Sequence, residues 1–533
     1  MKIVRLFFLV FTFNTLQAQN LNFDFILKAK EISGLGGIQS FAYGIHDEKW
    51  IIFGGRLDGL HRRQPFASFD IAGHNNQIFL IDPVKDVVVK RSLAELPAKI
   101  REPLSSTNMQ FHQDGEMLYL IGGYGYSGLQ QNHTTFNTLT AVNLSLLYEA
   151  LINNKELSLA FRQIENAKLQ VTGGYLGKIG DTFYLVGGQR FIGRYNPMGP
   201  NNGPGFIQEY TNAIRKFKIT DHTNQISITD FNEIIDPGLL HKRDYNMAHQ
   251  IMPDGTEGLT AFSGVFRPDA DLPFLNCVNI TADQYAEQPD FLQLYNHYHC
   301  AHLTLYSEAF NEMHTVFFGG IAQYYEEGGL RIKDDNVPFV NTIATVYRDA
   351  GGKMTEKILG SKMPGLLGAG SEFIPVKTHS LYNNEVIKYD LLSGDTILAG
   401  YIFGGIRNTA KNIFFVNDGS QSIASPAIFE VYLIKASSSA VKDFIKKATI
   451  GQLEIYPNPA GDEITVKYSL HSKSDILLTI HDETGKELIS EIIRHADAGP
   501  QVYKMGLDTL TGTKFLLSLT DGKNKISGSF LKL

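Results

Sequence analysis

The sequence predicts an all-β chain, a six-bladed β-propeller followed by a small β-sandwich. Three observations carry that prediction. One apolar phrase ending in glycine returns six times between Trp50 and Gly405. Each copy sits among further short β-rich runs separated by polar turns, enough for four strands a unit. Beyond residue 453 the phrase stops and a different alternating texture takes over. The 50 glycines and 43% hydrophobic content suit a large β-protein rich in turns.

The chain opens Met1-Lys-Ile-Val-Arg5, runs through Leu6-Phe-Phe-Leu-Val-Phe-Thr-Phe13, and reaches a small-residue site near Ala18. Two cations, a short apolar stretch and that site make residues 1–19 a signal peptide. The stretch is too short to cross a bilayer of roughly 30 Å, and no later segment reaches about 18 uninterrupted apolar residues. An exported protein without a transmembrane segment is expected. A formal net charge of −7 and a pI near 6.2 argue against a nucleic-acid partner, which would select a basic face.

The repeated phrase reads Trp50-Ile-Ile-Phe-Gly-Gly55, Leu118-Tyr-Leu-Ile-Gly-Gly123 and Phe183-Tyr-Leu-Val-Gly-Gly188. It returns as Leu259-Thr-Ala-Phe-Ser-Gly264, Thr315-Val-Phe-Phe-Gly-Gly320 and Gly400-Tyr-Ile-Phe-Gly-Gly405. The last glycines are 68, 65, 76, 56 and 85 residues apart, so a constant core carries loops of varying length. A strand and tight turn precede each phrase, as in Met109–Tyr119. A long polar loop and two more strands follow, such as 78–81 with 87–90, or 213–219 with 226–229. The glycines let the backbone turn and approach its neighbours near a crowded hub.

These residues resemble the kelch family of propellers, including its galactose-oxidase-like and sialic-acid-mutarotase branches, over about residues 20–436. Kelch repeats usually carry a Tyr and a Trp after the glycine pair, whereas the single tryptophan here, Trp50, precedes it. The sixth unit offers Phe429–Ile434 as its third strand and then dissolves into serines. The N-terminal run Leu21–Leu27 is therefore expected to supply the fourth strand and remove an open sheet edge, much as Leu157–Phe161 precedes Gly173-Gly174.

Residues 437–452 are rich first in Ser and then in Lys, and are expected to form a linker. From 453 to 533 come Tyr456-Pro-Asn-Pro-Ala460, strands at 463–468 and 476–480, and turns at 482–486 and 521–522. Physics alone gives a small β-sandwich, open to a carbohydrate-binding role. The Tyr-Pro-Asn-Pro-Ala phrase, the strand spacing and the terminal lysine resemble the type A sorting domain of the type IX secretion system of Bacteroidetes. Gly512-Thr-Lys-Phe515 departs from the family's closer Gly-x-Tyr. The resemblance implies recognition by the type IX machinery, passage across the outer membrane, and anchoring at the cell surface or release.

Strand order places the second-to-third and fourth-to-first loops on one face, where propeller function gathers. The first unit contributes Arg56, Asp58, His61, Arg62 and Arg63; the second, Tyr124 and Tyr126; the third, Arg190. Entry to the fourth contributes Arg243, Asp244 and Tyr245; entry to the fifth, His299 and His302; the last two loops, Tyr324 and Arg407. Guanidinium forks and aromatic rings suit a carbohydrate or another surface ligand. A glycan-active enzyme of mutarotase or hydrolase type, using Asp58, Asp244, Glu326 or His302 as acid and base, is a second reading. A non-catalytic protein-interaction module is the third.

No cofactor motif is visible, and no cofactor or metal is expected. His297, His299 and His302 crowd near Cys300, but alternation along a strand keeps three such close side chains from facing one ion. Cys277 and Cys300 are left open between two buried thiols and a disulfide, with an oxidising compartment and their places near loop ends favouring the bond.

Overall fold

The computed structural model describes residues 21–62, 68–194, 205–222, 225–379, 381–435, 450–470, 473–482, 486–508, 510–521 and 525–532. The signal peptide, Arg63 and residues 437–449 of the expected linker lie outside the described residues. The chain divides into two compact units, Met1–Ile434 and Lys435–Leu533. No helix among the described residues is long and apolar enough to cross a membrane.

The first unit is all-β and propeller-like. Its repeat builds six sheets of the same antiparallel kind. The first is Ala42–His46, Lys49–Phe53, Gln77–Asp82 and Val87–Ser92 in that order. The second has Gln110–Asp114, Met117–Ile121, Thr138–Asn143 and Phe161–Glu165. The third has Tyr175–Ile179, Thr182–Val186, Ala213–His222 and Gln225–Ile235. The fourth has Asn246–Ile251, Glu257–Phe262, Cys277–Ile280 and Tyr285–Glu287. The fifth has His302–Ser307, Glu312–Ile321, Phe339–Arg348 and Met354–Lys362, with Ile387–Lys388 added in parallel beside its first strand. The sixth runs Ser371–Pro375, Thr396–Gly404, Ile428–Lys435 and then Phe23–Lys30, so the N-terminal strand occupies the outer edge of the last sheet.

Each glycine phrase is the second strand of its sheet, and its residues face both ways into core. Ile51 and Phe53 pack with Leu118 and Leu120 of sheet two. Trp50 and Ile52 pack with Tyr401 and Phe403 of sheet six. Equivalent clusters join sheets two and three, three and four, four and five, and five and six. Burial on both faces explains why these strands are continuous apolar runs rather than alternating ones.

A second repeated feature sits just before each first strand. The amide of Ser40 donates to Gly370 O, Gly370 to His299 O, His299 to Asp244 O, Asp244 to Gly173 O, Gly173 to Asn108 O, and Asn108 back to Ser40 O, at 2.7–3.1 Å. Six backbone hydrogen bonds thus return to their starting residue. Ser40, Asn108, Gly173, Asp244 and Gly370 all have φ between 49° and 69°, which suits short polar side chains and glycine.

Two local expectations shift. Leu157–Phe161 is not the fourth strand of sheet two: Ser158–Ala160 forms one 3-10 turn, and the strand is Phe161–Glu165. Leu144–Ile152 is an α-helix inserted before it, burying Leu144, Leu147, Ala150 and Leu151, with the Asn143 side chain capping Leu146 N at 2.9 Å. Between sheets, hairpins from the second-to-third loops of sheets two and three pair into a joint sheet ordered Phe206–Tyr210, Gln189–Gly193, Asn132–Thr135, Tyr124–Ser127.

The second unit has its own core. One sheet orders Ile450–Tyr456, Glu463–Leu470 and Gly499–Gly506; the other orders Glu487–Ala496, Ser474–Asp482, Lys514–Thr520 and Lys525–Leu531. Their inward residues include Ile464, Val466, Leu478, Ile480 and Leu517.

Candidate functional site

The first strand of each of the six repeat sheets contributes to the wall of one cavity of about 160 Å³. Tyr43, Gln110, His112, Tyr175, His249, His302, Thr304, Glu372 and Phe373 come from those strands. Ser40, Asn108, Gly173, Asp244 and His299 of the hydrogen-bonded circle line it too. Asn384, Glu385 and Ile387 enter from the connection between the first two strands of sheet six.

Charges in this cavity are paired. His299 Nε2 lies 2.7 Å from Glu372 Oε1. Burial opposes a charge on His299, but the Glu372 carboxylate, helped by Asp244, outweighs it and lifts the imidazole above its ordinary value. Asp244 is ion-paired with Arg243, which also donates from Nε to the Tyr210 hydroxyl at 3.0 Å and lies 5.1 Å over the Phe266 ring. Glu385 is ion-paired with Lys377.

The other cavity histidines are held neutral. Burial pushes His112 down to about 4 and His249 down to about 3; their rings stand 5.8 Å apart. Burial also lowers His302, whose Nδ1 is 3.2 Å from Cys300 O. The hydroxyls of Tyr43 and Tyr175 are pushed up by burial first and by Glu385 and Glu372 next. Two buried polar atoms of the wall have no protein partner: Gln110 Oε1, an acceptor, and Asn384 Nδ2, a donor.

Register places the sequence-predicted residues at one end of their sheets. The first strand starts where the second ends, as in Ala42 with Phe53, Gln110 with Ile121 and Ser371 with Gly404. Asp244, Tyr245, His299 and His302 line the cavity, and Arg243 braces it from behind Asp244. Tyr245 is buried and donates to Val186 O at 2.7 Å.

The remaining candidates lie outside the cavity lining. Arg56 is buried and grips Asp58 with both arms, Nε to Oδ1 at 2.7 Å and Nη2 to Oδ2 at 2.5 Å. His61 stacks on Phe69 at 4.8 Å, while Arg62 is exposed. Tyr124 is buried and donates to Gly193 O at 2.7 Å, and Tyr126 meets His133 edge-on at 5.3 Å. Arg190 pairs with Glu209 at 2.8 Å. Tyr324 opens the hairpin Tyr324–Glu327 with Leu330–Lys333, and Arg407 is exposed within Ile406–Asn408.

The favoured disulfide is not formed: Cys277 and Cys300 are free and buried. Both belong to the apolar cluster between sheets four and five, with Phe262 and Phe317, where a thiol packs as a small hydrophobe. His297 is fully buried, its Nε2 at 3.0 Å from Gln293 O and its Nδ1 accepting from Gln323 N. Among the described residues no group of three or more His, Cys, Asp or Glu is arranged to hold a metal.

His112, His249, Tyr43, Tyr175, Glu372 and Glu385 escape a reading centred on loops. Five lie inside or beside strands, and the signal available was a polar residue recurring within the first strand of each repeat.

Residues 454–532 match the family described as Secretion system C-terminal sorting domain. No curated protein matches the chain. Solved structures similar to it include that of YjhT, at 11% identity and TM-score 0.43, covering 76% of this chain and 97% of that one. Another is a glycoside hydrolase family 43 arabinoxylan arabinofuranohydrolase from Bacillus subtilis, at 9% identity and TM-score 0.30, covering 93% and 95%. A third is PorZ, a type IX secretion component of Porphyromonas gingivalis, at 10% identity and TM-score 0.14, covering 93% and 80%. The matched tail is a type IX sorting domain, which marks the chain for recognition by that machinery and for secretion to the cell surface.

Proposed function

We propose that residues 20–436 form a six-bladed kelch-type propeller that binds a carbohydrate outside the cell through its central cavity. The six sheets, the six inter-sheet clusters and the backbone circle support the architecture. The observation that carries the binding reading is the pair of unpartnered buried atoms, Gln110 Oε1 and Asn384 Nδ2, set among imidazoles and phenols. A hydroxyl donates to one and accepts from the other, and buried polar atoms without such partners are costly. Each lining carboxylate, Asp244, Glu372 and Glu385, already faces a basic partner, so a neutral, hydroxyl-rich ligand suits the site better than an anion. At about 160 Å³ the cavity is smaller than the roughly 300–1,000 Å³ of sites for drug-sized ligands, which favours one sugar unit over a chain.

A glycan array probed with the full chain tests this. Binding of a defined sugar class is expected, lost in Gln110→Ala and Asn384→Ala; wild-type binding that survives both changes refutes the cavity assignment. The His299–Glu372 pair favours a second reading on the same site, acid–base chemistry on the bound sugar, because a carboxylate at 2.7 Å orients the imidazole and raises its pKa. Turnover of the array's best ligand, followed by NMR, separates enzyme from binder.

A further inference from the structure

The connection between the first and second strands sets sheet six apart from the other five. It spans only residues 47–48, 115–116, 180–181, 252–256 and 308–311 in sheets one to five, but 376–395 in sheet six. First strands begin beside the backbone circle, so these connections lie at the opposite end of the sheets. Five of them are too short to leave their own sheet, whereas the sixth is long enough to return toward the cavity, and long loops in a compact fold tend to carry function.

Its path is fixed by hydrogen bonds and burial. Tyr382 N donates to Val386 O and Glu385 N to Tyr382 O, both at 2.9 Å, closing a turn in which Glu385 has φ +66°. Val386 is fully buried with Ile251, Tyr306 and Met313, and Ile387–Lys388 pairs in parallel with Leu305 and Tyr306 of sheet five. Anchored there, the turn brings Asn384 and Glu385 to the cavity, with Asn384 only 6% exposed and Glu385 ion-paired to Lys377 of the same connection. Burial first, and Glu385 next, raise the hydroxyls of Tyr43 and Tyr175, and Glu385 opposes the burial that lowers His112. A carboxylate carried by sheet six and braced on sheet five thus stands within electrostatic reach of sheets one, three and two. At the circle end, by contrast, Ser40, Asn108 and Gly173 line the wall with short side chains or none.

We propose that the turn 382–386 blocks the far end of the cavity, so that the site takes the terminal unit of a glycan, or the free sugar, and rejects a unit substituted on both sides. The inference rests on the carbohydrate reading above and adds a direction of entry to it. A terminal unit enters from the circle end, sets its free hydroxyl edge against the unpartnered Asn384 Nδ2, and leaves the rest of the glycan to run back past Ser40 and Asn108. An internal unit needs a second way out, where Asn384 and Glu385 stand.

A printed array that presents each sugar both as a chain end and as an internal unit capped by one further residue tests this on the full chain. The wild type is expected to bind the terminal form at least about tenfold more tightly than the capped form, with the free monosaccharide competing. Glu385→Gly, which suits the positive φ and removes the side chain reaching across the cavity, should narrow that ratio. A crystal of the full chain with the best-bound glycan should show the chain leaving past Ser40 and Asn108. Equal binding of terminal and capped forms, an unchanged ratio in Glu385→Gly, or a glycan leaving past Asn384 overturns the inference while the carbohydrate reading stands. An array with no bound sugar removes that reading and this inference together.

Discussion

Cys277 and Cys300 share one apolar cluster, and burial outweighs the groups that favour a thiolate there, Lys242 near Cys277 and the Phe318 amide and Asn246 near Cys300. Burial pushes Cys300 up to about 12 and Cys277 higher still. Because the thiolate is the reactive form, neither should react while the chain is folded. A thiol reagent under non-reducing conditions is expected to find none in the native protein and two after denaturation; fewer than two in the unfolded chain would mean a bond had formed. His299 makes the second residue-scale case. Its pKa is raised in the fold, so the stabilisation from Glu372 is fully present below the ordinary imidazole value of 6.5 and is lost as pH rises through the folded value. Glu372→Gln should therefore unfold at lower urea than the wild type at pH 6, with the gap narrowing toward pH 9; a gap independent of pH contradicts the pairing. At this scale the sequence was only partly legible. Arg56 and Arg243 stand out in loops by type, yet their partners Asp58 and Asp244 are what decide whether a guanidinium is free for a ligand. His112 and His249 sit inside strands, where no local pattern separates a cavity wall from a core.

The recurring glycine phrase is legible because its cause is steric and repeats with the element. Gly122 and Gly115 show how. Both have positive φ, +64° and +60°, so alanine carries a similar conformational penalty at each, about 1 kcal/mol. A Cβ on Gly115 meets nothing within 4 Å, whereas one on Gly122 would lie 1.9 Å from Val171 O, a backbone atom of the connection into sheet three. Gly115→Ala should cost only the conformational term, and Gly122→Ala a further ~1–3 kcal/mol or more by overpacking. Denaturant unfolding of the two variants checks this, and equal losses would show that close approach between neighbouring sheets is not what the phrase encodes. The inserted helix Leu144–Ile152 was harder to see. Its buried Leu144, Leu147 and Leu151 have helical spacing, but they fall between the third and fourth strands of a repeat whose pattern is otherwise set by β-strands.

Each of the six repeat sheets of the first unit shares a core with two others, and the backbone circle passes through all six. In an open stack of repeats the end units lose a neighbour and open first, whereas the ring proposed above would have no such end. The continuity is completed by Phe23–Lys30, the one strand that reaches sheet six from the opposite end of the sequence. Phe25 packs edge-on to Phe318 at 5.3 Å and Phe23 to His314 at 4.9 Å, tying that strand to sheet five as well. This was legible because sheet six ran out of chain while an unassigned β-rich run remained at the start. Trp50, the only tryptophan, stands 5.1 Å from Tyr401 between sheets one and six and so reports on one inter-sheet contact directly. Phe25→Ala should destabilise by about 3–5 kcal/mol as a buried aromatic is lost. Deleting residues 20–33 should do more: Trp50 fluorescence and far-ultraviolet circular dichroism, coincident in the full chain, should separate into distinct transitions as sheet six opens ahead of the rest. A deletion variant that melts once, at the wild-type midpoint by both probes, would mean that the N-terminal strand decorates the edge of sheet six without joining the ring.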